Sequence, residues 1–326
     1  MSKVTSLVDS HGRRIKDIRI SVTPRCNLHC HYCHPLDGQL PEPAGVLSLG
    51  EVENFLKAAR ELGAESVRFS GGEPLLRRDL PDMVTAARNI GFPDIAITTN
   101  GTLFERQAIS LFAAGLNRVN FSLDALNPEI FRQITRGGKL EVVWGSIMKA
   151  LELGLNPVKI NAVILRGLND DQIVPLAELS LKYPLDIRFI EYMPLDNSDP
   201  ESYQNQLVLG REIKARLEAA FGILEPVAAD PSAPARSFAW AGAPGKVGFI
   251  NPVSQPFCTR CSRLRLTADR KLRPCLLQDL ELDLTAALAA GAEALRQALS
   301  YAVGVKPASG NLEPHQRTRT MLAIGG

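Results

Sequence analysis

The sequence predicts an α/β fold built on a parallel sheet. Six short apolar, β-branched runs recur between residue 18 and about 193, helix-like segments separate them, and glycines close four of those segments. Such alternation means strands joined by right-handed helical crossovers.

The first run is Ile18-Arg19-Ile20-Ser21-Val22. A helix follows, announced by a capping box, Ser48 with Glu51 three residues on, ahead of Phe55, Leu56, Ala59 and Leu62 on one face. Gly63, Gly91, Gly115 and Gly154 each suit a left-handed helix C-cap, where the missing Cβ removes a steric penalty. The runs after them are Ser66-Val67-Arg68-Phe69, Ile95-Ala96-Ile97-Thr98, Arg118-Val119-Asn120-Phe121 and Val158 to Ile164. Asp186 to Ile190 makes the sixth. An open barrel of six units and a doubly wound sheet both fit this pattern, and in either the functional residues gather at the C-terminal ends of the strands. Beyond Pro194 the pattern changes to a polar loop over 196–206, a helix near 210–222, a Pro/Ala-rich stretch over 226–244 and an Ala/Leu-rich helical stretch over about 282–303.

At 326 residues the chain fits one large α/β domain with an appendage, or two modest domains. Lys plus Arg (37) nearly balances Asp plus Glu (35), so no nucleic-acid-coating or polybasic membrane surface is expected. The N-terminus has no long apolar run and no segment approaches a membrane-spanning length, which leads to the expectation of a cytoplasmic protein.

The six cysteines fall into two triads, Cys26/Cys30/Cys33 and Cys258/Cys261/Cys275. Three thiols cannot all pair within a group, so metal or cluster binding is the better reading than a disulfide framework. Cys26-x3-Cys30-x2-Cys33 follows the first strand and can hold three corners of a 4Fe-4S cube with the fourth iron open. The alternative is a Cys3His zinc site completed by His29, His31 or His34. The second triad also lacks a fourth cysteine, unlike a zinc ribbon.

The first motif resembles the signature of the radical S-adenosylmethionine (SAM) enzymes. Tyr32 holds the aromatic position before the third cysteine, Ser70-Gly71-Gly72-Glu73-Pro74 follows the second strand, and Thr98-Thr99-Asn100-Gly101 and Asn120-Phe121-Ser122-Leu123-Asp124 end the third and fourth. The second motif, Phe257 to Asp269 with Leu272-Arg273-Pro274-Cys275, narrows the resemblance to the GTP 3′,8-cyclase family that begins molybdenum-cofactor synthesis. Arg188 to Pro194, Gly245 to Ile250 and the terminal Gly325-Gly326 extend it almost end to end.

The resemblance implies an incomplete (βα)6 TIM-type barrel over residues 1–194, and a smaller C-terminal α+β region, 195–326, carrying a second cluster. It implies two 4Fe-4S clusters, one on Cys26, Cys30 and Cys33 and one on Cys258, Cys261 and Cys275. SAM is expected against Tyr32, Gly72, Glu73, Ser122 and Met193. GTP is expected against Arg19, Arg68, Thr99, Lys159, Arg188, Arg263 and Arg265, with Arg263 and Arg265 decisive for catalysis. A triphosphate carries about three to four negative charges, and arginine offers it planar multi-donor contacts. In the implied reaction a SAM-derived 5′-deoxyadenosyl radical takes hydrogen from C3′ of GTP, and C3′ then bonds to C8.

Implied partners are a downstream enzyme that forms cyclic pyranopterin and an electron donor of flavodoxin or ferredoxin type, with a homodimer as one option. Pro24, His29, His31 and His34 depart from the family's usual pattern. Two other readings stand beside this one. A two-cluster relative could modify a peptide, though such relatives carry more C-terminal cysteines. A non-catalytic iron-sulfur or zinc scaffold would leave Gly72, Glu73 and the polar strand ends without purpose.

Overall fold

The computed structural model describes residues 6–33, 45–195, 199–228, 230–310 and 319–325. Its first strands are β1 (Asp17–Ser21), β2 (Ser66–Ser70), β3 (Asp94–Thr99), β4 (Arg118–Ser122), β5 (Val158–Ile164) and β6 (Leu185–Glu191). Between them run α1 (Leu49–Glu61), α2 (Leu80–Ile90), α3 (Phe104–Ala114), the pair α4 (Pro128–Thr135) and α5 (Leu140–Glu152), and α6 (Ile173–Lys182). The capping box on Ser48 and Glu51 is formed, and Gly91 and Gly115 close α2 and α3 in the left-handed conformation.

These strands pair in parallel and in sequence order. Right-handed crossovers in an order without reversal put every helix on the same face, so the sheet curls into an incomplete barrel. A doubly wound sheet needs a reversal of strand order, and this one has none among the described residues.

The rest of the chain contributes α7 (Pro200–Gln206), α8 (Gly210–Phe221), β7 (Glu225–Pro226), β8 (Arg236–Ala239), β9 (Lys246–Ile250), β10 (Arg263–Leu266), β11 (Lys271–Arg273), β12 (Leu282–Asp283), α9 (Thr285–Ala290), α10 (Ala292–Gly304) and α11 (Met321–Ile324). β9 joins β6 in parallel at one edge of the barrel and β10 joins β1 in parallel at the other. Antiparallel β8 and β7 continue from β9, and β11 and β12 from β10. Two expectations are corrected in detail. The polar stretch 196–206 holds α7, because Asp199 caps Ser202 N ahead of Pro200 at the first helical turn. The stretch near 282–303 is two helices broken at Gly291.

Side chains alternate along every barrel strand. One set, including Ile18, Ile20, Val67, Phe69, Ile95, Ile97, Val119, Phe121, Ile160, Ile187 and Phe189, is buried with the helices in one continuous core. Each such side chain contributes about 1.5–3 kcal/mol by leaving water. The alternate set is strongly polar: Arg19, Arg68, Thr98, Asn120, Lys159, Asn161 and Arg188 face the barrel interior. A barrel whose interior is charged is built to hold a ligand rather than to pack on itself.

Candidate active site

Both cysteine triads line a single cavity in the barrel, the first at the C-terminal end of β1 and the second at the opposite strand ends, before β10 and after β11. Cys26, Cys30 and Cys33 come from the loop after β1, Cys258 and Cys261 from the short 3-10 turn before β10, and Cys275 from the segment after β11. Each triad offers thiols alone. His29 and His31 are exposed and lie outside the cavity wall, and His34 lies outside the described residues. No group of three or more His, Cys, Asp or Glu side chains among the described residues could hold a single metal ion.

The sulfurs are met by N–H donors, as thiolate ligands are. Leu28 N and Asn100 Nδ2 point at Cys26 Sγ (3.5 and 3.7 Å), and Leu277 N at Cys275 Sγ (3.4 Å). Burial, with Cys33 and Asp124 nearby, pushes the Cys30 thiol up. At Cys261 burial also raises the thiol, but the charges of Arg263 and Lys306 outweigh it and bring it down to about 6. The donor set fits two clusters with open irons.

The Gly71-Gly72-Glu73 turn is pressed onto the loop leading to Cys26. Gly72 N donates to Thr23 O and Glu73 N to Arg25 O, both at 2.7 Å. A Cβ on Gly72 would run into the Arg25 carbonyl, and Gly71 sits at φ +150 against Thr23. Only glycine permits this approach. Glu73 is buried behind the wall rather than in it: its carboxylate accepts from Leu75 N (3.0 Å), Thr99 Oγ1 (2.8 Å) and Asn100 N (2.7 Å). Burial pushes it up to about 7 against those hydrogen bonds. Tyr32, Gly72, Ser122 and Met193 all reach the cavity, with the Tyr32 hydroxyl donating to Asp124 at 2.7 Å.

Arg19, Arg68, Thr99, Arg188, Arg263 and Arg265 line the same cavity, while Lys159 lies in the barrel outside its wall. Arg19 stands in register between Arg68 and Arg265. Arg188 is held by Asp186 (2.8 Å) and Arg118 by Asp94 (2.5 Å), but no carboxylate forms an ion pair with Arg19, Arg68, Lys159, Arg263 or Arg265 among the described residues. Burial, then the charges of neighbouring arginines, pushes Arg68 and Arg265 down to about 9, and burial with Arg68, Arg265 and Arg263 nearby pushes Arg19 down as well. Arg263 lies over the Phe257 ring at 4.5 Å. Internal salt bridges therefore account for Arg188 alone of the expected cations. The rest have the chemistry of a seat for a polyanion.

The tail enters this seat. Arg265 Nη1 donates to Gly325 O at 2.6 Å, and Gly325 packs at φ +76 beside Ser21 and Ser70. Gly326 lies outside the described residues. Sequence reasoning missed Arg13, Asn161 and Lys306, which also line the cavity. Asn161 shares the polar alternation of Lys159, a readable signal; Arg13 and Lys306 carry no local motif.

Two family models cover the chain in succession: the radical SAM superfamily over residues 20–180 and "Molybdenum Cofactor Synthesis C" over residues 185–312. A GTP 3′,8-cyclase of Desulforamulus reducens is 43% identical over 98% of this chain and 100% of its own. One from Syntrophomonas wolfei is 42% identical, again over 98% and 100%, and one from Moorella thermoacetica 43%, over 98% and 99%. Among solved structures, Streptococcus suis SuiB bound to S-adenosylmethionine aligns with a TM-score of 0.59 at 15% identity, covering 86% of this chain and 65% of that one, which shows a shared fold. No helix among the described residues is long and apolar enough to cross a membrane.

Proposed function

The chain belongs to the radical SAM superfamily and, within it, to the GTP 3′,8-cyclases, and on that premise we propose how its own residues divide the work of joining C3′ to C8 of GTP. With two 4Fe-4S clusters and SAM bound, the cofactors supply the 5′-deoxyadenosyl radical that takes hydrogen from C3′, and an open iron for the purine. Cys26, Cys30 and Cys33 would hold the first cluster, and Cys258, Cys261 and Cys275 the second.

Tyr32, Gly72, Ser122 and Met193 would line SAM. Glu73 acts from behind, fixing the Thr99 hydroxyl and the Asn100 backbone by accepting their hydrogen bonds. Arg19, Arg68, Lys159, Arg263 and Arg265 neutralise the triphosphate, with Arg188 steadied by Asp186. Thr99, which lines the same cavity, would contact GTP as well. The protein's part is to orient the ribose toward the radical source and to exclude water while a reactive carbon centre exists.

The observation that carries this reading is a cluster of buried cations without carboxylates between two cysteine triads in one cavity. A peptide substrate would not call for that charge. The product, 3′,8-cyclo-7,8-dihydro-GTP, needs a following enzyme to form cyclic pyranopterin, and the first cluster needs an electron donor of flavodoxin or ferredoxin type. Both, with a cytoplasmic location and a homodimer, belong to the proposal.

Anaerobically reconstituted protein given SAM and a reductant should make 5′-deoxyadenosine and, with GTP, cyclised nucleotide. Arg265→Ala and Arg263→Ala should keep 5′-deoxyadenosine formation and lower cyclisation by ~10²-fold or more. Wild-type cyclisation rates in both variants would reject their role.

A further inference from the structure

Arg13 and Lys306 are buried cations, 6% and 3% exposed, that stand behind the second cysteine triad. Arg13 Nη1 donates to the carbonyls of Cys258 (2.7 Å) and Ala308 (3.1 Å), and Nη2 to that of Pro307 (2.6 Å). Its Nε is paired with Asp9 at 2.6 Å. Lys306 Nζ donates to the carbonyl of Arg263 (2.8 Å) and to that of Pro274.

Three of these carbonyls belong to the three limbs of the triad. Cys258 is grasped through its own carbonyl, Cys261 through that of Arg263 two residues on, and Cys275 through that of Pro274 just before it. Arg13 then ties the first limb to Pro307 and Ala308, the segment that carries Lys306, and the clasp closes on itself. Among the described residues the carboxylate of Asp9 balances Arg13, whereas Lys306 has carbonyl oxygens as its partners and no carboxylate. An ammonium buried in that way is costly unless negative charge stands close by. Burial holds the Lys306 ammonium below its usual value, with Arg13 and Arg263 adding to that, and Cys261 and Cys275 are the groups that oppose it, because as thiolates they favour its charged form.

We propose that Arg13 and Lys306 are positioning residues for the second cluster, holding its three cysteines in place from behind, with Lys306 supplying the counter-charge of the thiolates. The inference rests on the two-cluster reading above. It makes Lys306 necessary for loading the second triad and indifferent for the first, which lies on the opposite strand ends.

Lys306→Met and Lys306→Arg, reconstituted beside the wild type, separate the possibilities by iron content, by the electron paramagnetic resonance of the reduced proteins, and by SAM cleavage without GTP. The wild type should hold about eight irons per chain. Lys306→Met should fall to about four, lose the second-cluster signal and keep SAM cleavage, while Lys306→Arg, with charge and donors retained, should keep both clusters. Full iron and an unchanged spectrum in Lys306→Met overturn the clasp alone. Equal loss of both clusters in Lys306→Met marks a general folding role and also overturns it. A wild type with about four irons or none overturns the two-cluster reading and the clasp together.

Discussion

Lys159 shows how single residues in this barrel depend on a ligand to complete them. Burial, then the charges of Arg188 and Arg118, push its ammonium down to about 6, with Asp186 pulling the other way. A bound triphosphate would reverse the balance and raise it. The ammonium's share of binding is then full below about pH 6 and lost as the pH rises toward the value in the complex. At pH 8, where the nucleotide's own phosphates are ionised, GTP binding should take up close to one proton, and Lys159→Met should abolish the uptake. Titration calorimetry in two buffers of different ionisation heat measures it; equal heats for the wild type would remove Lys159 from the phosphate site. At this scale the alternate polar positions of the strands were legible: Arg19, Arg68, Lys159 and Arg188 interrupt apolar runs at the spacing of one strand face. Arg13 and Lys306 were not, because each acts through backbone carbonyls distant in sequence, which leaves no motif around the residue itself.

The carboxylate of Glu51 ties helix α1 to the C-terminal part of the sequence. Glu51 completes the capping box with Ser48 and accepts from Arg270 Nε (2.6 Å) and Nη2 (3.0 Å), in the turn between β10 and β11. Arg270 holds it at about 2, with burial opposing and Ser48 assisting. A depressed carboxyl contributes stability that is whole above its unfolded value near 4.5 and is lost as the pH falls toward 2. Glu51→Gln should therefore cost on the order of 1 kcal/mol at pH 7, discounted for partial exposure, with the gap closing on acidification. Denaturant unfolding of wild type and variant at pH 7 and pH 3 tests this, and an equal gap at both would contradict it. The capping box and all six barrel strands were readable because their signals are local. The seating of β10 on β1 was not, since its partner lies some 245 residues away in the chain, as Asp17 and Ser262 show. Helix α7 was hidden in polar composition although Asp199 and Pro200 mark its start.

Over the whole molecule, the two ends of the chain meet at the working cavity. β10 extends the barrel from β1, Gly325 O rests on Arg265, and the triads from near each terminus face one interior. The alternation of helices and strands left barrel and doubly wound sheet open; strand order decided it, and order is a tertiary property that periodicity does not encode. The triads' spacing announced clusters, but only the closed fold brings both to one substrate-sized space. That shared space is the basis for placing a radical source and a nucleotide together. The most direct test is GTP deuterated at C3′, incubated anaerobically with reconstituted protein, SAM and reductant. Deuterium should appear in 5′-deoxyadenosine together with 3′,8-cyclised nucleotide. Deuterium-free 5′-deoxyadenosine beside unreacted GTP would contradict that placement.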